Sequence, residues 1–551
     1  MESPAAFVEN RQWPAASFGG TLSIPVVSSI LLLALVTLVF WPSSGPPPLN
    51  DTIPHVTNTY EYMTNHKSFM RRIMQILKNT DVARFYLGPK TVYLVTGAQN
   101  VQKIFRPSPS IGNEELMLTI VLPRIYGLPP HEIERFRNDK SGRGKVPIPG
   151  TEDTPENQRH WRDYDHIHTE FLSRPQHLNK MSGSYFRFIS ETFDAVPLGK
   201  WETVSVVNVC RDQVAQSAIK ALIGPKAFEM FPNFLETFWE FDSIIFKLSW
   251  GLPKWLWKSK PHEVQDRYYG MIRKYMESAV DNLDWDGPDA DSDWEPHFGA
   301  RVCREIVKWM KRSKFCDQTA AGFLSTLLFA QNSNSIPIAM WVLMELVRDK
   351  DLFNEIRAEV MGTFVKDSVT GKETMDTHKL MGLPLLQSVF SEVLRLHMSF
   401  NVMRQVKEPI RIDKYHVKTG TMLQVPMQVA HYDEKIWSTQ SHPADQFWAA
   451  RHIKHVDENG KKKRTFNMEG LQGSFFPFGG GHSMCPGRHF AKHEVLMTIG
   501  LLVTKFDIEF VEWTYPDGTP SDRPALNNEQ YAGAVAMPPD RDMRVRWKRI
   551  R

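Results

Sequence analysis

The stretch from Phe476 to Glu494, FPFGGGHSMCPGRHFAKHE, constrains the fold more than any other part of the chain. Gly479, Gly480 and Gly481 allow a tight turn, with backbone approaches that side chains would block. Cys485 follows, and Pro486 after it suits the first turn of a helix. A helix starting here aims its free amides and its partial positive charge at the sulfur. That setting is expected to lower the thiol pKa and hold a thiolate. A lone cysteine is ordinarily a small buried hydrophobe. This one is presented on a turn built from glycine and proline, and it is read as a ligand.

The chain around it has 551 residues, 42% hydrophobic and 23% charged, with a net charge of +4. A balance so close to neutral gives no electrostatic case for nucleic acid. Its 16 Trp and 33 Phe suit a large core and an apolar ligand pocket. The four cysteines, Cys210, Cys303, Cys316 and Cys485, are scattered and lack zinc-type pairing. A disulfide framework is not expected at this size, and a reducing compartment is.

From Gly19 to Trp41 the chain carries no charge. The apolar centre of that run, Ile24 to Trp41, approaches the roughly 20 residues that cross a bilayer. Residues 1–20 are read as a short leading segment and 21–41 as an uncleaved transmembrane anchor. The leading segment carries Glu2, Glu9 and only Arg11, and no small-x-small cleavage site follows Trp41. Residues 42–50, PSSGPPPLN, are read as a stiff proline-rich hinge. Residues 51–551 are read as one large unit without an internal repeat.

Helical patterns occupy Phe315–Arg348, Lys350–Phe364, Leu383–His397 and the segment after Pro486. Strand signals lie at Arg84–Gly97 and Pro409–Met427. The expected fold class is mainly α with a small β region. Two polar stretches, Asp281–Glu295 and Asp457–Arg464, are read as surface loops. The first lacks the ligand spacing of an EF-hand.

The cysteine stretch resembles the cysteine loop of the cytochrome P450 superfamily, F-x-x-G-x-x-x-C-x-G, with Phe478, Gly481, Cys485 and Gly487 at all four positions. Further motifs follow the family's order. Glu392-Val-Leu-Arg395 matches the E-x-x-R of its K helix, an i, i+3 pair on one helical face. In the family that pair locks to an arginine of a later loop. Here the loop reads DQFWAAR, and Arg451, after Phe447, is the candidate. Val425 to Trp437 resembles the stretch that precedes that loop. The resemblance implies a P450 fold behind a single N-terminal transmembrane helix, with Cys485 as axial thiolate to heme b, iron protoporphyrin IX. It implies that Phe478 packs near the sulfur and that Arg404, shortly after the K helix, binds a heme propionate. Glu392 and Arg395 belong to the same cofactor-binding set, and His482 is a candidate substitute at a propionate.

The chain also departs from the family. The distal helix normally carries A/G-G-x-D/E-T, whose acid and threonine relay protons to dioxygen. Here Leu328 to Trp341 reads LFAQNSNSIPIAMW, with Ser333 for the acid, Asn334 for the threonine, then Ser335 and Pro337. A proline inside a helix removes a hydrogen bond and kinks it, so a ligand pocket is expected at this polar stretch. Asn334 and the N-S-I-P run, followed by an aromatic, resemble one branch, the sterol 7α- and 12α-hydroxylases with prostacyclin synthase. Ser483, two residues before the cysteine, is similar to that branch as well. The long N-terminus and proline-rich hinge resemble fungal members from natural-product pathways. The C-helix motif W-x-x-x-R is imperfect. Trp161 is present but position 165 is Asp, leaving Arg159, Arg162, His166 and His168 as propionate candidates.

The resemblance thus implies a monooxygenase on the endoplasmic reticulum membrane, single-pass, with the catalytic unit in the cytosol. It would oxidise an apolar polycyclic small molecule (a terpenoid, a sterol or a related natural product) with dioxygen and electrons from NADPH–cytochrome P450 reductase. Two other readings use the same residues. One is a heme-thiolate isomerase or dehydratase acting on a peroxide, which needs no reductase. The other is a heme-binding or partner-binding protein without catalysis, against which the intact cysteine loop and E-x-x-R argue.

Overall fold

One helix organises the molecule. Asp317–Arg348 (α6) runs for 32 residues, roughly 48 Å at 1.5 Å per residue. It is apolar on nearly every side and most of its residues are buried, as expected of a helix through the middle of a large core. The structure, a computed structural model, describes residues 45–249, 251, 260–366, 373–458 and 461–551. Around α6 pack the helices Lys260–Asn282 (α4), Arg301–Arg312 (α5), Pro384–His397 (α8) and Arg488–Lys505 (α9). His160–Ser173 (α1) and Pro175–Asp194 (α2) flank α9, Phe234–Ser249 (α3) lies against α4, and Lys350–Met361 (α7) follows α6.

The main sheet has strands Val82–Leu87 (β1), Lys90–Val95 (β2), Ile111–Gly112 (β3), Asn401–Val406 (β5) and Met422–Pro426 (β6), in the order β1-β2-β6-β5-β3. β6 joins β2 in parallel and β5 antiparallel, with Arg404 opposite Leu423. A three-stranded sheet adds Trp201–Ser205 (β4) to Phe506–Thr514 (β7) and Asp542–Arg549 (β8). The fold is therefore mainly helical with small sheets, as the sequence patterns imply. Residues from Pro46 to Arg551 form one compact unit.

Several expectations need adjusting. The proposed anchor, 21–41, lies outside the described residues, and among those described no helix is long and apolar enough to cross a membrane. The end of the 42–50 hinge is not a free spacer. Leu49 N–H donates to Arg84 O at 2.7 Å and Arg84 N–H to Pro47 O at 3.0 Å, so this stretch docks along β1. The basic stretch Asp457–Arg464 is part of a hairpin, with Ile453–Glu458 paired to Lys461–Phe466. Its strands, IKHVDE and KKKRTF, are mostly charged and lack period-two alternation, so the sequence pattern does not report them. The helix at Lys350 stops at Met361, and Phe364 begins a short strand. The distal helix runs on through Pro337, where the proline leaves the Ser333 carbonyl without its usual amide partner.

Candidate functional site

The cysteine turn closes on itself: Cys485 N–H donates to Phe478 O at 2.9 Å. Phe478 is half-buried against the main core. Gly487 is the N-cap of α9, so the helix does begin under the cysteine. The turn presses on the helix Ala98–Phe105. A Cβ at Gly480 would lie 2.1 Å from the Phe105 ring, and one at Gly481 would lie 2.3 Å from the Phe105 carbonyl oxygen. Cys210 and Cys303 are buried, whereas Cys485 is exposed. Burial around the sulfur pushes its thiol above the ordinary range, and the Gly487 amide, the Arg488 charge and the Arg488 amide pull it back. The helix end thus offsets desolvation without overcoming it, which corrects the expectation of a thiol that ionises by itself. A bound metal deprotonates such a sulfur outright.

A cluster of positive charge lies beside the turn. Arg404 on β5 is 6% exposed. It donates to Met403 O at 2.8 Å and to Gly480 O at 3.3 Å, and no carboxylate among the described residues lies at ion-pair distance from it. Burial, and after it the charge of Arg143, lower its pKa to about 10 against the opposing charge of Glu114. Burial, Arg404 and Arg143 together depress His482. An anion beside Arg404 and His482, whose charged forms burial and Arg143 disfavour, would relieve both.

Arg143 was not among the sequence candidates. It lies in the loop before α1, its guanidinium 4.6 Å from the centre of the Trp161 ring. It donates to Asp165 Oδ1 at 2.6 Å and to Asn113 Oδ1 at 3.1 Å, and Asn113 Nδ2 reaches Ser483 Oγ at 3.3 Å. The acid at position 165, where the family's C helix has arginine, therefore holds an arginine delivered from a loop. The other candidates are engaged elsewhere. Arg159 is buried and donates to Gly144 O and Lys145 O, Arg162 pairs with Glu156, His168 bonds to Tyr164 O, and His166 is exposed.

The distal helix sends its three polar residues in different directions, as successive positions about 100° apart must go. Asn334 Nδ2 donates to Ala330 O at 3.4 Å, and its Oδ1 accepts from Ala536 N–H at 3.1 Å. The Ser333 hydroxyl donates to Asp242 on α3. Ser335 faces Glu494 of α9, whose carboxyl burial pushes up to about 8. The sequence treated these three as one polar patch, whereas Ser335 looks into the core between α6 and α9.

Glu392 and Arg395 lie under the site as a scaffold. Both are 0% exposed. Arg395 donates to Glu392 through Nε and Nη2, each at 2.8 Å, and to His431 O and Ala444 O at 2.7 and 2.6 Å. Arg451 adds a bond to Glu392 at 2.7 Å. Burial raises the Glu392 carboxyl, but bonds from Arg395 and His452 and the two arginine charges win, holding it at about 2. His431 Nε2 accepts from Phe476 N–H at 3.2 Å. The network therefore reaches the cysteine turn through His431, and these two residues support the site through protein contacts.

The donor set fits a heme. One exposed cysteine at a helix N-terminus offers a sulfur as axial ligand, and a buried guanidinium without a carboxylate offers a place for a propionate. Among the described residues no cluster of three His, Cys, Asp or Glu side chains could hold a metal by itself, so Cys485 would be the protein's own ligand to an iron held by a macrocycle.

Comparison with known proteins agrees. The profile of the family described as Cytochrome P450 matches residues 178–530. A cytochrome P450 monooxygenase (calL) of Penicillium decumbens is 43% identical over 508 residues, 92% of this chain and 93% of the relative. Another (fsoE), of Humicola fuscoatra, is 25% identical over 92% of this chain and 87% of its own length. A cholesterol 7-alpha-monooxygenase of Cricetulus griseus is 28% identical over 57% of this chain and 59% of its own.

Proposed function

The chain belongs to the cytochrome P450 family as a monooxygenase, and on that premise we propose that it hydroxylates or oxidises an apolar polycyclic substrate, a terpenoid, sterol or related natural product. The observation that carries the reading is Cys485, an exposed residue on the glycine turn at the N-terminus of α9, with Arg404 beside that turn, a buried guanidinium with no carboxylate among the described residues at ion-pair distance. The substrate class rests on the fungal relatives and on the relative named for cholesterol 7α-hydroxylation.

Heme b, held at Cys485, would activate dioxygen with electrons from NADPH–cytochrome P450 reductase. The chain's own residues do the rest. Arg404 and Arg143 offer planar forks to carboxylates, with His482 beside them. Phe478, Gly481 and Gly487 shape the turn that presents the sulfur. Asn334 offers an amide that can orient water, Ser333 is a hydroxyl that can pass protons, and Ser335, turned toward Glu494 in the core, lies off that path. Residues 51–551 form the catalytic body. Residues 21–41 would hold it on the endoplasmic reticulum membrane, facing the cytosol and the reductase.

The test is product analysis with reductase, NADPH, labelled dioxygen and a panel of sterols and terpenoids. One labelled oxygen atom in the product supports the reading. A second reading, isomerisation of a peroxide, is favoured by Asn334, which has no ionisable proton and whose two polar atoms both meet backbone groups. Product formed without NADPH and without label would decide for it.

A further inference from the structure

We propose that Asp242, on α3, is the residue that holds and supplies protons to the distal side of the site, through the hydroxyl of Ser333. The inference rests on the monooxygenase reading and deepens it, by giving the reaction an acid that the distal stretch of α6 lacks.

The geometry is direct. Ser333 stands at the position of α6 where the family's acid is expected, one residue before Asn334, and its hydroxyl donates to Asp242 Oδ1. The carboxyl comes from the neighbouring helix, and the backbone of α6 keeps Ser333 next to the residue whose amide meets Ala330 O. Asp242 is not placed there by packing needs. Its neighbours on α3 are Phe238, Phe241 and Ile245, all buried, and an acid in such a setting costs free energy that an apolar residue would not. The charged and titratable groups facing it are few. Arg211 approaches from the π-helical turn Val209–Val214, Tyr268 from α4 and Tyr531 from the C-terminal segment. Burial pushes the Asp242 carboxyl up to about 6, and the Ser333 bond and the Arg211 charge restrain the rise. A carboxyl in that range gains and loses a proton near working pH, as a general acid should.

The step balances. While Asp242 is ionised the Ser333 hydroxyl donates to it; once the carboxyl is protonated the bond reverses, and Asp242 gives its proton to Ser333 Oγ while Ser333 gives its hydroxyl proton onward to water on the Asn334 side. Ser333 ends neutral, and the carboxylate is reprotonated from solvent. Over one turnover, two protons and two electrons, the electrons from the redox partner, leave one oxygen atom of dioxygen in the substrate and the other in water. Asp242 acts through Ser333, and is in that sense a positioning residue.

The experiment uses the full-length, heme-loaded chain in lipid vesicles with NADPH–cytochrome P450 reductase and the panel of sterols and terpenoids. Asp242→Asn should slow NADPH-driven dioxygen consumption roughly 100-fold or more and enlarge its solvent deuterium isotope effect, and Asp242→Glu should restore both in large part. Independently of turnover, infrared titration of the wild type should show a buried carboxyl band with a midpoint near pH 6 that Asp242→Asn removes. Wild type that consumes dioxygen while Asp242→Asn matches it in rate and isotope effect overturns this inference alone. Wild type that consumes no dioxygen with NADPH and reductase overturns the monooxygenase reading, and this inference with it.

Discussion

Asp165 accepts a 2.6 Å hydrogen bond from Arg143, so that the helix position from which relatives reach toward the heme with an arginine serves here to hold an arginine brought by a loop. Charge has been exchanged between helix and loop, and the cation stays above Trp161. Arg143→Ala should therefore weaken heme retention. Charge-assisted hydrogen bonds contribute about 1.5–3 kcal/mol each, which corresponds to roughly 10- to 100-fold faster heme transfer to apomyoglobin. Arg143→Ala combined with Asp165→Arg should recover part of that loss. Equal transfer rates in wild type and Arg143→Ala would remove Arg143 from the heme site.

Cys485→Ala should abolish the red-shifted Soret band of the reduced, carbon-monoxide-bound protein, while Cys316→Ala, at another exposed cysteine, should leave it in place. The carbon monoxide difference spectrum decides.

Glu392 carries the acid limit of the fold. Its carboxyl sits at about 2 in the folded chain and near 4.3 when unfolded. A depressed carboxyl stabilises the fold at pH values above its unfolded pKa, and that contribution is lost as pH falls toward 2. Removing one partner of a buried pair costs about 3–5 kcal/mol. Glu392→Ala and Arg395→Ala should thus give little heme-loaded protein, and Glu392→Gln, where it folds, a flatter stability curve between pH 5 and 2. Full heme content in both alanine variants would refute the scaffold role.

Glu494 works with the opposite sign. Burial raises its carboxyl to about 8, so the folded chain binds a proton that the unfolded chain has lost above the ordinary carboxyl range. Stability from this group is complete at low pH and declines as pH rises through about 8. Glu494→Gln should melt at a higher temperature than wild type at pH 9 and show little gain at pH 5. A melting difference that does not change with pH would contradict this.

Deleting residues 1–41 should release the protein from alkaline-washed membranes and leave heme uptake intact. Retention of the truncated chain in the pellet would rule out that segment as the sole anchor.

Much of this was legible in the sequence because it is local. The cysteine turn, the Glu392–Arg395 pair and the central helix each lie within a single stretch, where spacing alone fixes which side chains share a face. Arg451 was found because its loop keeps a recognisable order. Arg143 and Asp242 were missed for one shared reason: each completes a site by crossing from another element, and no periodicity reports such a crossing. A signal existed in both cases. Asp165 replaces an arginine and so calls for a cation, and Asp242 is an acid on a helix otherwise rich in Phe and Ile. The hairpin of Ile453–Glu458 with Lys461–Phe466 is not legible because its strands are mostly charged and carry no apolar alternation.

The contact of Gly480 and Gly481 with Phe105 bears on how this loop can vary over evolutionary time. A side chain at 480 would collide with the Phe105 ring, which a smaller residue at 105 could relieve. A side chain at 481 would collide with the carbonyl oxygen of residue 105, which every amino acid carries, and 481 also has a φ of 70°. Positions 105 and 480 are therefore free to drift only as a pair, while 481 has no partner whose change could release it.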